Sequence, residues 1–283
     1  MNLAGDAVDP TPKSKDDAAA TYYDANYGNF QTELYTEIRR EAFGEDIGQN
    51  SWVTAQEQDM FLGWLDLSMG KTLLDVACGS GGPALRIAAR TGCSVVGIDL
   101  HEQAISTAKS LASQRDLKER AEFYVVNASQ QLPFAEGRFD AITCIDAINH
   151  LPDRPRVIAT WARLLKPGGR LLFTNPATVT GPLTNEEIAV RSSAGFFLFV
   201  PKDYDKDVIA QSGLRLLVCR DVTANMAAVA EKRRAARESR STAVRQIEGD
   251  RTYEAQENFL AMTARLAGEG RLSRFAYLSE KVG

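Results

Sequence analysis

The chain has 283 residues, of which 44% are hydrophobic and 25% are charged, an ordinary globular composition in a chain long enough to bury a substantial core. Its formal net charge is −4, which argues against nucleic acid or an anionic membrane as a partner. A small molecule is therefore the simplest substrate to expect.

Cysteine and histidine usage argues against a metal site. The four cysteines, at positions 78, 93, 144 and 219, form no CxxC pair, and the two histidines, His101 and His150, lack metal-ligand spacing. Three of the cysteines lie in or beside apolar runs, which predicts reduced thiols packed inside the protein. Residues 1–20 show no signal-peptide pattern, and no uncharged apolar stretch approaches the length of roughly 18 residues needed to span a bilayer. We therefore expect a soluble, cytoplasmic protein.

The N-terminal quarter divides into a tail and a helical segment. Residues 1–17 are rich in Pro, Asp, Lys and Ala without periodicity, which predicts a disordered tail. Residues 18–70 carry aromatic and aliphatic side chains at helical intervals, and GEDIGQNS at 44–51 interrupts them as a loop. We interpret 18–70 as a helical lid.

Short apolar runs then alternate with helical patterns, which is typical of a parallel, doubly wound sheet. The runs are TLLDVA, SVVGID, AEFYVVN, FDAITCI and GRLLFTN, between residues 72 and 175. The helix at 153–169 has Asp153 as its predicted N-cap, an early Pro155 and a Pro-Gly-Gly stop.

After Pro176 the alternation breaks. Two further strands are predicted, in LRLLVCRDV (214–222) and RFAYLSEKV (274–282). Between these strands we predict two helices, over 224–248 and 253–267. The predicted fold is α/β, a Rossmann-like three-layer sandwich with a seven-stranded, mostly parallel sheet, a helical lid and a cap. Its core would comprise residues 71–177 and 213–283, and the substrate cap residues 178–212 and 223–270.

The segment LLDVACGSGGPALRIA reads as a strand, a glycine-rich turn and a helix. Glycines let the backbone approach a ligand closely, and a helix start offers unpaired amides. Asp99 ends the next strand, where a carboxylate can accept hydrogen bonds from ribose hydroxyls. The turn departs from GxGxxG, and Asp75 at the strand end would repel a pyrophosphate but suit a cationic amino-acid tail.

Five motifs, in this order, resemble those of class I S-adenosylmethionine-dependent methyltransferases: DVACGSGG, GIDL, NASQQLPF, FDAITCIDAINHLPD and LLKPGGRLLFTNP. The resemblance covers about residues 72–176, with weaker support from GEDIGQNSW. It is nearest to small-molecule enzymes of the ubiquinone-biosynthesis and sarcosine/dimethylglycine type.

The resemblance implies S-adenosylmethionine as cofactor and assigns its contacts. Asp75 and the backbone from Ala77 to Gly81 would face the methionine end, Asp99 the ribose and Leu100 the adenine face. The implied cofactor-binding residues are Asp75, Ala77, Gly79, Gly81, Asp99, Leu100, Asn127, Ala128, Ser129, Ile145, Asp146, Gln49 and Trp52. Two positions depart from the family pattern. Ala77 replaces a glycine, and Asn127 replaces an acid. The side-chain carbonyl of Asn127 could still accept a hydrogen bond from the adenine amino group, as the acid would.

Candidates for the acceptor side each carry an alternative interpretation. His150 is the candidate general base, or it orders its loop. Tyr23 and Tyr27 either cover the cofactor as a lid or form the buried face of a helix. Phe196 and Phe197, in AGFFLFVP, either line an apolar acceptor pocket or pack the cap onto the sheet.

These patterns predict methyl transfer from S-adenosylmethionine to an oxygen or nitrogen of a small metabolite. The alternatives are carbon or sulfur methylation of an apolar or isoprenoid-like acceptor, and a non-catalytic module that binds S-adenosylmethionine. The basic segment EKRRAARESR at 231–240 favours a solvated helix face over nucleic-acid binding, because it lacks interleaved aromatic residues. The expected partner is therefore the methyl acceptor, and the sequence leaves homo-oligomerisation open.

Overall fold

The computed structural model describes residues 27–193 and 195–283, so the predicted tail over 1–17 and Tyr23 lie outside the described residues. The strands in chain order are β1 (Thr72–Val76), β2 (Ser94–Asp99), β3 (Ala121–Val125), β4 (Phe139–Cys144), β5 (Leu165–Val179), β6 (Val200–Pro201), β7 (Leu214–Asp221) and β8 (Leu272–Lys281). The helices are α1 (Glu33–Phe43), α2 (Ala55–Leu65), α3 (Gly82–Thr91), α4 (Glu102–Gln114), α5 (Arg154–Leu164), α6 (Asn185–Arg191), α7 (Tyr204–Gln211), α8 (Thr223–Glu238), α9 (Ser241–Glu248) and α10 (Asp250–Gly268).

The strands form one sheet in the order β3-β2-β1-β4-β5-β8-β7. The first five are parallel, whereas β8 runs antiparallel between β5 and β7. This confirms the predicted seven-stranded, mostly parallel sheet. The two-residue β6 adds a short eighth strand beside β5, in a segment whose pattern was too brief to indicate it.

Helices cover both faces of the sheet and make a three-layer sandwich, as predicted. On one face α2, α3 and α4 bury side chains such as Phe61, Leu85 and Ala108 against the strands. On the other face α5 and α7 bury Trp161 and Ile209. Both faces of the parallel strands are thus removed from water, which explains why their sequences are almost continuously apolar.

A second group of helices lies beside the sandwich. In it α1 packs on α8 and α10 through apolar residues that include Phe43, Met226 and Leu260. None of the helices in the described part of the chain is long and apolar enough to cross a membrane.

The helix predicted over 224–248 is in fact two helices. The break between α8 and α9 contains neither Gly nor Pro, so no local signal marks it. It turns α9 back so that Glu248 accepts hydrogen bonds at 2.9 Å from both terminal nitrogens of the buried Arg237 in α8. Val244 of α9 is then buried beside Tyr253 of α10, which begins at Asp250 rather than at 253.

Candidate functional site

A cavity of about 650 Å³ opens at the carboxyl edge of the parallel strands, and its volume is in the range of small-molecule sites. The loops after β1, β2, β3 and β4 line it, since parallel strands bring their carboxyl ends to one edge. Its wall includes most of the residues predicted to bind a cofactor: Asp75, Ala77, Gly79, Asp99, Leu100, Asn127, Ala128, Ser129, Ile145 and Asp146.

The glycine turn and the acid of β2 are joined directly. The backbone N–H of Gly79 donates to Asp99 Oδ2 at 2.8 Å, and the N–H of His101 donates to Asp99 Oδ1 at 3.0 Å. Burial raises the pKa of Asp99, and these two hydrogen bonds partly oppose the rise. Asp99 therefore fixes the shape of the turn and also presents a carboxylate to the cavity.

Three positions of the turn, Ala77, Gly79 and Gly81, have left-handed backbone conformations. Ala77 has φ +56°, the conformation that would favour the glycine usual in the family motif. Gly81 has φ +75° and was predicted to contact the cofactor, but it does not line the cavity. Its N–H donates to Cys78 O at 3.0 Å, and a Cβ there would lie 2.7 Å from Ala108 Cβ, so its role is close packing.

Asp75 lies at the bottom of the cavity and accepts a hydrogen bond from Thr143 Oγ1 at 2.7 Å. Burial raises the pKa of Asp75 to about 7, because the carboxylate is almost completely removed from water. Ser80, whose backbone lies in the predicted Ala77–Gly81 contact, also lines the cavity, and among the described residues its buried hydroxyl has no hydrogen-bond partner. The floor of the site thus offers an acid and a hydroxyl to a polar ligand.

Asn127 does not present its carbonyl oxygen as expected. Asn127 Oδ1 accepts from the backbone N–H of Ser129 at 2.9 Å and from Ser129 Oγ at 2.6 Å. These two bonds occupy the lone pairs that were predicted to meet an adenine amino group. The side-chain amide nitrogen of Asn127 is the group left for a ligand.

Asp146 is held in a buried network with Arg274 of β8. Asp146 Oδ1 accepts from Arg274 Nε at 2.6 Å and from Thr174 Oγ1 at 2.7 Å, and its Oδ2 accepts from the backbone N–H of Trp52 at 2.9 Å. A terminal nitrogen of Arg274 also donates to both oxygens of Glu57 in α2, each at 2.8 Å. Sequence reasoning missed Glu57 and Arg274, whose network ties the sheet edge to the loop before α2.

Gln49 and Trp52 were predicted to bind the cofactor, but their side chains do not line the cavity. The Gln49 amide is buried within its own loop, where it accepts from Ile47 N at 2.8 Å and donates to Glu45 O at 3.2 Å. The Trp52 indole stacks on Phe259 of α10 at a ring distance of 6.2 Å. The neighbours Asn50 and Ser51 line the cavity instead.

His150 lines the cavity in the short 3₁₀ helix after β4. Its Nδ1 lies 2.9 Å from Phe196 O, and since a carbonyl only accepts, Nδ1 carries the proton of the neutral ring. Burial lowers the pKa of His150 to about 4, so the ring is neutral at pH 7. The two predicted phenylalanines differ: Phe196 lines the cavity, whereas Phe197 packs edge-on against the His150 ring at 4.5 Å.

Tyr27 lines the cavity and packs near Phe30 and His101, with ring distances of 6.2 and 5.6 Å. A side chain at Gly79 would meet the Tyr27 hydroxyl at 3.0 Å, which places Tyr27 over the glycine turn. Leu100, 57% exposed, forms an apolar part of the wall nearby.

Gly82 is required for the loop over 44–51 to reach the site. A Cβ built on Gly82 would lie 2.3 Å from Ile47 O and 2.7 Å from the Cα of Gly48. We expect Gly82→Ala to displace this loop and to lower the free energy of unfolding by about 1–3 kcal/mol. Gly63→Ala is the control, because Gly63 lies in α2 with nothing within 4 Å and its replacement should stabilise by roughly 0.5–1 kcal/mol. Urea unfolding measures both, and equal effects of the two substitutions would refute the packing argument.

Comparison with known proteins identifies the part of the chain that forms this site. Residues 74–173 match the family model described as a methyltransferase domain. The match spans β1 to β5 and so confirms the resemblance found in the motifs.

Individual relatives of the methyltransferase domain cover more of the chain. The 27-O-demethylrifamycin SV methyltransferase of Amycolatopsis mediterranei (strain S699) is 31% identical over 168 residues, which are 56% of this chain and 61% of that protein. The ubiquinone biosynthesis O-methyltransferase of Thiobacillus denitrificans (strain ATCC 25259 / T1) is 36% identical over 116 residues, 40% of this chain and 49% of that protein. The chain therefore spans about half to three fifths of the length of these relatives.

A solved structure shows that the likeness in fold extends beyond the methyltransferase domain. Haemonchus contortus phosphoethanolamine N-methyltransferase 2, in complex with S-adenosyl-L-methionine, superposes with a TM-score of 0.74 at 18% identity, covering 91% of this chain and 60% of that one. The sheet and the helices beside it are thus a known arrangement.

Proposed function

We propose that this chain is an enzyme that transfers a methyl group from S-adenosylmethionine to a hydroxyl oxygen of a small molecule. One observation carries the proposal: Asp99 and the turn at Gly79 are joined by a 2.8 Å hydrogen bond, and both face a cavity of suitable volume. The match of residues 74–173 to methyltransferase domains supports it. The four cysteines, all free, support a reducing, cytoplasmic location.

The residues present fit S-adenosylmethionine. Asp75 is a buried acid that would pair with the cationic amino-acid end, and the Ser80 hydroxyl would donate to its carboxylate. Asp99 would accept from the ribose hydroxyls, while Leu100 would pack on adenine and the Asn127 amide nitrogen would donate to a ring nitrogen. The bound cofactor supplies an electrophilic methyl group on a sulfonium.

His150 is proposed as the group that takes the acceptor's proton. With the proton on Nδ1 and bonded to Phe196 O, the lone pair of the neutral ring lies on Nε2. A pKa near 4 makes His150 a weak base, but one that is neutral across the physiological range. Asp146 is proposed as a positioning residue, because its carboxylate accepts from Arg274, Thr174 and the backbone N–H of Trp52 and so holds the walls together around the reacting end.

Labelled transfer tests the proposed function. Protein incubated with S-adenosylmethionine carrying a labelled methyl group and a metabolite extract should label a small-molecule product. We expect His150→Gln to slow this turnover by about 10²–10⁴-fold with little change in the affinity for S-adenosylhomocysteine, which is the effect of losing a general base. Absence of any labelled product with the wild-type protein would contradict the proposed enzymatic activity. Full activity of His150→Gln would contradict the role of His150 as the base.

The affinity for S-adenosylmethionine should rise with pH up to about 7. In the free protein Asp75 binds a proton below about pH 7, whereas a cation beside it favours the carboxylate. Binding therefore expels that proton, which costs about tenfold in affinity for each pH unit below 7 and nothing above it. Calorimetry from pH 5.5 to 8.5 measures the profile, and Asp75→Asn should flatten it. A wild-type profile as flat as that of Asp75→Asn would remove Asp75 from the contact.

A further inference from the structure

The cavity wall is negatively charged where the structure describes it. Among residues 27–193 and 195–283, neither lysine nor arginine lines it, and its charged groups are Asp75, Asp99 and Asp146. Under the proposed function, Asp75 and Asp99 are used by the cofactor. Asp146 is compensated by Arg274, which is completely buried behind it.

The buried cation Arg191, in the predicted cap, does not add a positive group to the wall. Arg191 acts on His150 electrostatically, but its guanidinium lies 4.4 Å from the centre of the Phe259 ring and donates to Thr263 Oγ1 at 2.8 Å. It does not line the cavity. A phosphate or carboxylate on the acceptor would therefore lose its water without gaining a cation from the wall, which is strongly unfavourable.

Part of the cavity is an apolar recess between α2 and the sheet. Thr143 and Leu172 are register neighbours on β4 and β5 and form its floor. Asp75, the register neighbour of Thr143 on β1, borders the recess on the side proposed for the cofactor. Side chains of α2, including Leu62 and Leu65, form the opposite wall. Apart from Asp75, Thr143 and the Gln58 amide of α2, these groups offer only hydrocarbon to a ligand.

We infer that the methyl acceptor is an uncharged hydroxyl compound with an apolar portion, and that this portion occupies the recess. The inference rests on the proposed function and specifies its acceptor. The acceptor oxygen forms a bond to the methyl carbon, the carbon–sulfur bond breaks with its electron pair going to sulfur, and the hydroxyl proton passes to Nε2 of His150. Phosphorylated and carboxylated acceptors should bind less tightly, because no lysine or arginine of the described wall would compensate their charge.

Chain-matched ligands test the inference by calorimetry. With the protein saturated with S-adenosylhomocysteine, 1-decanol should bind at least tenfold more tightly than decyl phosphate or decanoate, all used below their micellar concentrations. Equal or tighter binding of either anion, or no binding of decanol, would overturn the inference. S-adenosylhomocysteine is titrated separately beforehand. If it does not bind, the proposed function fails; if it binds but decanol does not, only the inference about the acceptor fails.

Variants at Leu62, a partly buried residue of the recess wall, locate the binding. Leu62→Lys introduces a cation and should reverse the preference, so that decyl phosphate binds more tightly than decanol. Leu62→Met is the matched control and should keep the wild-type order. Retention of the wild-type order in a folded Leu62→Lys protein, as judged by its urea midpoint, would place the apolar ligand elsewhere and contradict the recess.

Discussion

Replacing Asp99 with alanine is expected to weaken binding of S-adenosylhomocysteine by about 1–3 kcal/mol, roughly 5- to 150-fold. The loss has two sources. The carboxylate no longer accepts from the ribose hydroxyls, and the backbone N–H of Gly79 loses the acceptor that holds the glycine turn at 2.8 Å. Calorimetric titration of the variant and the wild type measures the difference.

Asp207→Ala is the matched control, since Asp207 is an exposed acid of α7 outside the cavity. It changes the net charge by the same amount, so any general electrostatic effect on binding will appear in both variants. If Asp99→Ala binds the ligand as tightly as Asp207→Ala does, Asp99 is not part of the site.

Replacing Arg274 with methionine is expected to lower the free energy of unfolding by roughly 3–5 kcal/mol. The guanidinium is completely buried between Asp146 and Glu57, so its removal leaves two buried carboxyl groups facing each other without a cation. Burial already raises the pKa of Glu57 in the presence of Arg274, and protonation of Glu57 should therefore relieve part of the loss at low pH. Urea unfolding at pH 5 and pH 8 measures both effects.

Arg215→Met provides the comparison on the same sheet. Arg215 pairs with Glu280 at 2.8 Å, but its side chain is 63% exposed, and exposed pairs contribute about 0–1 kcal/mol. A loss for Arg274→Met no greater than that for Arg215→Met would show that the buried network does not stabilise the fold.

The part of the cavity proposed for the cofactor could be predicted because its signals are local. Gly79 and Asp99 each stand at the end of an apolar run, and parallel strands bring such ends together without further information. The same reasoning selected Asp75 and Leu100, and both line the cavity. It misplaced Gly81, because a glycine pattern does not distinguish an approach to a ligand from close packing against Ala108.

Contacts between distant segments could not be predicted in this way. Glu57 lies three residues after Thr54, the spacing of a helix capping box, and Thr54 does accept from Glu57 N. The Glu57 side chain nevertheless bonds Arg274, 217 residues away. Trp52 was misplaced for a similar reason, since only the fold shows that its ring stacks on Phe259 of the late helical insertion.

The acceptor side was predicted least well. AGFFLFVP is uniformly apolar, and its sequence alone does not tell which ring faces the ligand. In the structure Phe196 lines the cavity while Phe197 packs behind His150, because the carbonyl of Phe196 is bonded to Nδ1 of that histidine. The absence of lysine and arginine from the described cavity wall is likewise a property of the folded chain, which contains 33 such residues in all.

Titration of the wild-type protein with S-adenosylhomocysteine tests the central claim most directly. We predict saturable binding at one site per chain, competition by S-adenosylmethionine, and a large loss of affinity in Asp99→Ala. Absence of heat with both compounds, confirmed by equilibrium dialysis, would contradict the assignment of this cavity to a sulfonium nucleoside.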